Sequence, residues 1–228
     1  MAEMNSLKDK LFSIVSHDFR SPLNSLRGTL SLYLDGHLSQ EDMNQIGSSL
    51  LNKLDTTSNM LDNLLHWARN QMEGIKVNRS KINLYELVQE NIDLVRMPAE
   101  KKGVSILGRV ENPTWVNGDK EMIKLVVRNL LSNALKFSRT GGEISITSEE
   151  GQGKVITCVK DQGIGIETEE ISKLFSLETE PSKGTSDEIG IGLGLSICKD
   201  FIERNNGEIW VESKVNKGSA FYFSLQQP

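Results

Sequence analysis

The chain lacks any run of about 18 apolar residues, so no segment of it is expected to span a membrane as a helix. An apolar N-terminal signal stretch is missing as well. Cysteine is scarce: Cys158 and Cys198 form neither a Cys-x-x-Cys pair nor a disulfide-dense pattern, and read as buried thiols of a reducing compartment. Nor is there an excess of positive charge. Lys plus Arg number 26 against 31 Asp plus Glu, a net charge of −5, which argues against a general nucleic-acid binder working through a basic field. What remains is an ordinary globular composition: 228 residues, 37% hydrophobic and 25% charged, enough for one large domain or two small ones.

Glycine is unevenly spread. Only four of the 19 precede residue 75, whereas twelve fall between 141 and 218. The first third therefore reads as helix and the last third as strands, turns and loops. From 5 to 36, Phe12, Val15, Phe19, Leu23, Leu26, Leu30 and Tyr33 recur at steps of 3, 4, 4, 3, 4 and 3, an apolar helical seam. Gly36 ends it, and Ser39 with Asp42 forms a capping signal. A second stripe follows through Met43, Ile46, Leu50, Leu54, Thr57, Leu61, Leu64 and Ala68. One hairpin cannot bury both seams along their length, so a homodimer through residues 5–73, closing an antiparallel four-helix bundle, is expected.

Residues 74–80 read as a linker, which predicts domains at 1–74 and 75–228. Beyond it, Asn83 and Glu86 signal the start of a helix to about 102. Strands are predicted at 104–110 and 114–117, and a helix at 120–138 capped by Asp119. Strands at 143–148 and 154–160, a short helix at 167–174, a polar aperiodic stretch at 176–189, a helix at 193–205 and strands at 208–213 and 219–225 complete the pattern. The second part is an α+β sandwich, a mixed sheet under three helices.

Four constellations carry chemistry. On the helix from 120 to 138, Asn129, Asn133 and Lys136 stand at i, i+4 and i+7 on one face. Amide oxygens coordinate Mg²⁺ without adding charge where phosphates supply the anions, and lysine offers a point charge to a phosphate oxygen. A solvated helix face is the alternative. Asp161-Gln-Gly163-Ile-Gly165 follows an apolar strand, so its carboxylate can accept from a base amino group and its glycines let backbone lie against a flat ligand. In isolation the same residues fit a plain turn. Gly190-Ile-Gly192-Leu193-Gly194 opens the last helix, where backbone N–H groups and the helix dipole favour a phosphate. Ser16-His17-Asp18-Phe19-Arg20-Ser21-Pro22 places His17 about 200° from the seam positions on either side. Pro22 removes a helical hydrogen bond beside it, making His17 a nucleophile candidate. His37 and His66 lack such neighbours and read as surface residues.

The order of these features resembles the catalytic core of two-component sensor histidine kinases, whose H, N, G1 and G2 boxes would be His17, Asn129/Asn133, Asp161-x-Gly163-x-Gly165 and Gly190-x-Gly192-x-Gly194. Phe175 falls at the position of the F box and Gly218-Ser219 at that of the last box. The likeness extends from about residue 5 to 226. It implies a phosphoacceptor hairpin followed by a Bergerat-type ATP-binding domain. The implied reaction is ATP-dependent phosphorylation of His17, then transfer to an aspartate on a response regulator receiver domain. Asn133 would ligate Mg²⁺, Asn129 and Lys136 would approach the phosphates, and Asp161 would read adenine. Phe137, Gly163, Gly165, Ile166, Phe175, Leu193 and Ser219 would complete the ATP/ADP site, with 176–189 as its lid. Asp18 would hold or take the proton of His17. Ser21, where many members carry Thr or Asn, would bear on regulator dephosphorylation. The expected location is the cytoplasm, with any membrane attachment through a sensor region absent from this chain. Two rivals remain at this level: an ATPase of the gyrase and Hsp90 type, which would not need the motif around His17, and a phosphotransfer or scaffold dimer, which would not need the nucleotide boxes.

Overall fold

A computed structural model describes residues 23–44, 46–47, 50, 77–176, 184–185 and 194–228. The chain divides into two compact units, Met1–Gly74 and Ile75–Pro228.

In the first unit, helix α1 covers residues 23–34 and helix α2 starts at 40. The reversal between them follows from two local devices. Gly36 takes φ +73°, a left-handed stop, and the His37 N–H turns back to the Leu32 carbonyl. Ser39 and Asp42 then cap α2 reciprocally. The Ser39 hydroxyl and N–H both donate to Asp42 Oδ2 (2.6 and 3.0 Å), while the Asp42 N–H donates to Ser39 Oγ (3.1 Å). Along the predicted seam, Leu23 is 53% and Leu30 40% exposed, while Leu50 is buried. Seam positions before 23 and beyond 50 lie outside the described residues.

The second unit is a mixed seven-stranded sheet with helices on one face. Its elements are β1 (Arg79–Asn83), α3 (Leu84–Lys102), β2 (Ser105–Arg109), β3 (Trp115–Asp119), α4 (Lys120–Phe137), β4 (Glu143–Gly151), β5 (Lys154–Asp161), α5 (Thr168–Ile171), α6 (Gly194–Arg204), β6 (Ile209–Lys214) and β7 (Gly218–Gln226). The order is β1-β3-β7-β5-β4-β2, with β6 also paired to β7. Every pairing is antiparallel except β2 with β4.

Period-two alternation builds the core. Ile144 and Ile146 of β4, Val155 and Val159 of β5, and Phe221, Phe223 and Leu225 of β7 are buried. Opposite them, α4 contributes Ile123, Val127, Leu130, Leu131 and Ala134, and α6 contributes Ile197, Phe201 and Ile202. Asp119 caps α4 as its sequence position predicts, accepting from the N–H groups of Glu121 (3.1 Å) and Met122 (3.2 Å). None of the described helices is long and apolar enough to cross a membrane.

Four sequence expectations need correction. The linker at 74–80 ends early, because Arg79 and Ser80 already pair with Asp119 and Gly118 as part of β1. Only Ile82 and Asn83 of that strand are buried, so it carries almost no apolar signal. Asn83 occupies the N-cap of α3 but its side chain makes no cap bond; Nδ2 donates to Glu86 Oε1 instead (3.1 Å). The helix predicted at 167–174 is the single turn α5, with turns from 172 to 175. Cys198 is buried as expected, but Cys158 is half-buried on the outer sheet face.

Candidate nucleotide site

The alternation Val155, Thr157, Val159 places Asp161 at the last helix-facing position of a buried row. It is 3% exposed. Its Oδ1 accepts from the N–H groups of Gly163 (2.8 Å) and Ser219 (3.3 Å). Among the described residues Oδ2 has no hydrogen-bond partner, so one carboxylate oxygen is fixed and the other is available. Burial pushes the carboxyl pKa above its ordinary range, opposed by the two backbone N–H groups.

Two glycines let the next turn close. A Cβ on Gly163 would lie 2.2 Å from the Phe137 carbonyl oxygen and 2.7 Å from Asp161 Oδ1. Gly165 has φ +72°, and a Cβ there would lie 2.1 Å from the Lys214 carbonyl oxygen. The loop between them is held from both sides. The Ile164 N–H donates to the Phe137 carbonyl (3.3 Å), and the Ile164 carbonyl accepts from the Asn216 N–H (2.6 Å). The next N–H, of Ile166, donates to Ser213 Oγ (2.9 Å).

Asn129, Asn133 and Lys136 are half-buried along one face of α4. Gly194 begins α6 against that face: a Cβ there would lie 2.7 Å from Asn129 Oδ1. An amide row thus meets a helix N-terminus at close range, where a Cβ at 194 would displace the Asn129 amide. The Lys136 ammonium lies 4.7 Å from the centre of the Phe137 ring. Phe137 in turn supplies the carbonyl that Ile164 binds, which ties the α4 row to the Asp161 loop through the backbone.

Asn129, Lys136, Phe137, Asp161, Gly163, Gly165, Ile166, Gly194 and Ser219 are thereby linked, with Asn133 on the same face of α4. Phe175 is half-buried after α5, and no hydrogen bond or ring contact joins it to the others among the described residues. His17, Asp18, Ser21, Gly190, Gly192 and Leu193 lie outside the described residues. Sequence reasoning missed Ser213, Asn216 and Lys102. Ser213 carried a signal: after Ile209 and Val211 it is the next position of the inward face, and a hydroxyl there needs a partner. Lys102, which donates to the carbonyls of Leu135 and Lys136 at 2.8 Å each, carried none, because it comes from 33 residues away in the chain.

A mixed sheet carrying a buried carboxylate at a strand end, faced by an amide row and a glycine-opened helix, defines the ATPase class to which residues 118–228 match, the histidine kinase-, DNA gyrase B-, and HSP90-like ATPases. Residues 7–73 match the His Kinase A (phospho-acceptor) domain. The chain is 30% identical over 236 residues to the adaptive-response sensory kinase SasA of Thermosynechococcus vestitus, covering 99% of this chain and 61% of the relative. It is also 30% identical to the sensor protein SrrB of Staphylococcus aureus, of which it covers 39%. The chain therefore spans about two fifths to three fifths of these relatives' lengths. Among solved structures, the catalytic domain of histidine kinase ThkA matches with 34% identity and a TM-score of 0.58, over 66% of this chain and 98% of that one. ThkA in complex with its response regulator protein TrrA matches with 26% identity and a TM-score of 0.73, over all of this chain and 64% of that one. The chain belongs to the two-component sensor histidine kinase family, and its second unit carries that family's ATP-binding fold. The phospho-acceptor match removes the gyrase and Hsp90 reading.

Proposed function

We propose that this chain is the catalytic core of a histidine kinase that phosphorylates His17 from ATP and passes the phosphoryl group to an aspartate of a response regulator. The observation that carries the nucleotide half is Asp161: a buried carboxylate with one oxygen fixed by Gly163 and Ser219 and the other available. Such an acceptor suits the exocyclic amino group of adenine and rejects the oxygen that guanine presents there. Gly163 and Gly165 let the backbone lie beside the flat base.

Asn129, Asn133 and Lys136 would face the phosphates, with the N–H groups at the start of α6 adding positive potential. The chemistry of this row suits Mg²⁺, since amide oxygens are neutral ligands and the phosphates bring the charge. Asn133 would hold the ion, which would supply charge neutralisation at the phosphates. In the transfer, a neutral imidazole nitrogen of His17 forms the N–P bond as the bond from the γ-phosphorus to the bridging oxygen breaks, releasing ADP. The proton on the other ring nitrogen is held or taken by Asp18. Little covalent work falls to the protein beyond alignment. Ser21 bears a hydroxyl where it would influence dephosphorylation of the regulator.

The exposed leucines of α1 support a homodimer through residues 5–73, because Leu23 and Leu30 continue a helical seam that one chain leaves open. The complex of ThkA with the response regulator protein TrrA supports a receiver domain as the phosphoryl acceptor.

The test is incubation with Mg-ATP labelled on the γ-phosphate. Wild-type protein should acquire an acid-labile, base-stable label that His17→Gln lacks. Equal labelling of the variant would sink the assignment.

A further inference from the structure

Four hydrogen bonds close a ring around the Asp161 loop. The N–H groups of Gly163 (2.8 Å) and Ser219 (3.3 Å) both donate to Asp161 Oδ1. Ser219 Oγ lies 2.9 Å from Ser213 Oγ, and the Ile166 N–H donates to that same Ser213 oxygen (2.9 Å). From Ile166 the chain runs back through Gly165 and Ile164 to Gly163, which completes the circuit. Ser213 Oγ also lies 3.1 Å from the Gly218 carbonyl, which can only accept. A hydroxyl has one proton and two lone pairs. One lone pair of Ser213 takes the Ile166 N–H, and its proton goes to Gly218 or to Ser219. The two hydroxyls are joined in either case, because each can donate to the other.

Strand pairing explains why these groups meet. Ser213 and Ser219 stand directly opposite each other in the antiparallel pairing of β6 with β7. Gly218 has φ +91°, and a Cβ there would lie 2.0 Å from the Asp161 carbonyl oxygen, so β7 begins hard against the end of β5. Ser213, half-buried, comes from a third piece of chain. Its hydroxyl spans the two segments, 161–166 and 218–219, whose N–H groups fix the Asp161 carboxylate.

We propose that Ser213 is a positioning residue for the base end of the nucleotide site. It touches no ligand in this account. Its hydroxyl holds the exit of the Gly163–Ile166 turn against the start of β7, and so keeps Asp161 and the backbone beside it where adenine would lie. This rests on the nucleotide-site reading above. The bonds exist in the unliganded protein, so the geometry is set before a base arrives. Without the hydroxyl, the Ile166 N–H loses its acceptor and the turn can move toward water. Binding must then restore the lost geometry, at up to about tenfold in affinity for one neutral hydrogen bond. The cost falls on binding rather than turnover, because the α4 amide row and His17 stand outside this ring.

The experiment compares the full chain as wild type, Ser213→Ala and Ser213→Thr. Alanine removes the hydroxyl; threonine keeps it and suits a strand. Mg-ATP dissociation constants are measured by calorimetry, KM and kcat by γ-phosphate labelling, and backbone amide exchange by mass spectrometry on nucleotide-free protein. Alanine should weaken Mg-ATP binding at least about twofold and up to about tenfold, raise KM in parallel and leave kcat at saturating ATP unchanged. Peptides spanning 162–167 should exchange faster, while those within α4 keep the wild-type rate. Threonine should recover at least half of the affinity loss. A smaller loss with alanine overturns the inference, as does a threonine variant that recovers less than half. Unchanged exchange at 162–167, equal acceleration within α4, or a kcat that falls along with affinity overturns it too. If alanine leaves the chain unfolded, Ser213→Cys, close in size and a weaker hydrogen-bonding group, is held to the same criteria. A wild-type chain that does not bind Mg-ATP overturns the nucleotide-site reading itself, a result separate from all of these.

Discussion

Replacing Asp161 by Asn should weaken nucleotide binding and stabilise the protein at the same time. The carboxylate is 3% exposed and receives two backbone N–H bonds on Oδ1, which leaves Oδ2 for the ligand. Asparagine is nearly isosteric and its oxygen can keep the bonds from Gly163 and Ser219. Its NH₂ group would then occupy the position of Oδ2 and face the amino group of adenine, donor against donor. Loss of one charge-assisted bond is worth about 1.5–3 kcal/mol, or roughly tenfold to a hundredfold in affinity. Stability moves the other way. Burial raises the folded-state pKa of Asp161 above its ordinary value, so the folded protein binds the proton more tightly than the unfolded chain. Wild-type stability must therefore fall as pH rises from the ordinary carboxylate range through the raised value, and stay lower above it. The asparagine variant lacks that slope. Nucleotide-free melting curves from pH 4 to 8 should show it above wild type at the alkaline end, each kcal/mol appearing as roughly 2–4 °C in a domain of this size. Calorimetry with Mg-ATP gives the affinity. A dissociation constant within twofold of wild type would remove Asp161 from base recognition. A variant that melts below wild type at pH 8 would refute the claim that the buried charge is costly.

Gly163→Ala places a Cβ 2.2 Å from a backbone carbonyl that cannot retreat without moving the end of α4, so Mg-ATP binding by calorimetry should be lost and the melting temperature lowered. Asn205 is buried; its Oδ1 accepts the Asp119 N–H (2.7 Å) and its Nδ2 donates to the Phe201 carbonyl (2.8 Å). Asn205→Ala strands the Asp119 N–H, while the Phe201 carbonyl keeps the backbone N–H of residue 205 (3.2 Å), and should cost about 1–3 kcal/mol in urea unfolding; a loss below 0.5 kcal/mol would mean that water replaces the amide. Asp119→Ala removes the α4 cap and should cost about 1 kcal/mol in the same assay. Leu30→Glu puts a charge on the open seam of α1, and light scattering should report a shift from dimer toward monomer; an unchanged dimer mass would exclude that seam.

Elements with strong periodicity were legible. The α4 helix was readable from Ile123, Val127, Leu130 and Ala134, its start from Asp119, and the amide row from spacing alone. The strand β5 and the first half of β4 alternate cleanly because one face of the sheet is covered by helices and the other is not. β1 was missed because a sheet-edge strand of Arg79-Ser80-Lys81 owes its existence to pairing with β3 rather than to its own side chains. Asn83 was misjudged for a related reason: next to a buried strand end, its amide reaches Glu86 and Asn112 sooner than the helix backbone. At the site, glycines and the carboxylate were legible because their chemistry is unusual for their local pattern. Lys102, Thr185 and Asn216 were not, since each acts on backbone carbonyls or loops far away in sequence, and in the sequence such a lysine, threonine or asparagine looks like any other.

That asymmetry follows from how the site is held. Two of the proposed site's side chains, the Asp161 carboxylate and the Lys136 ammonium, are easy to suspect from the sequence. Their positions, however, are set by main-chain bonds: Ile164 to Phe137 on one side, Asn216 to Ile164 on the other, and Lys102 and Thr185 to the α4 carbonyls behind. The Phe137 and Ser138 carbonyls receive Ile164 and Thr185, and Lys102 binds the two carbonyls just before them. A displacement there moves the α4 amide row and the Asp161 loop together. Substitutions at this corner should therefore alter adenine recognition and phosphate contacts in concert, whereas changes at Asp161 alone should leave the binding of inorganic triphosphate untouched. Competition between Mg-ATP and Mg-triphosphate separates the two: Asp161→Asn should lower only the former, and Gly163→Ala, which forces Phe137 to move, should lower both.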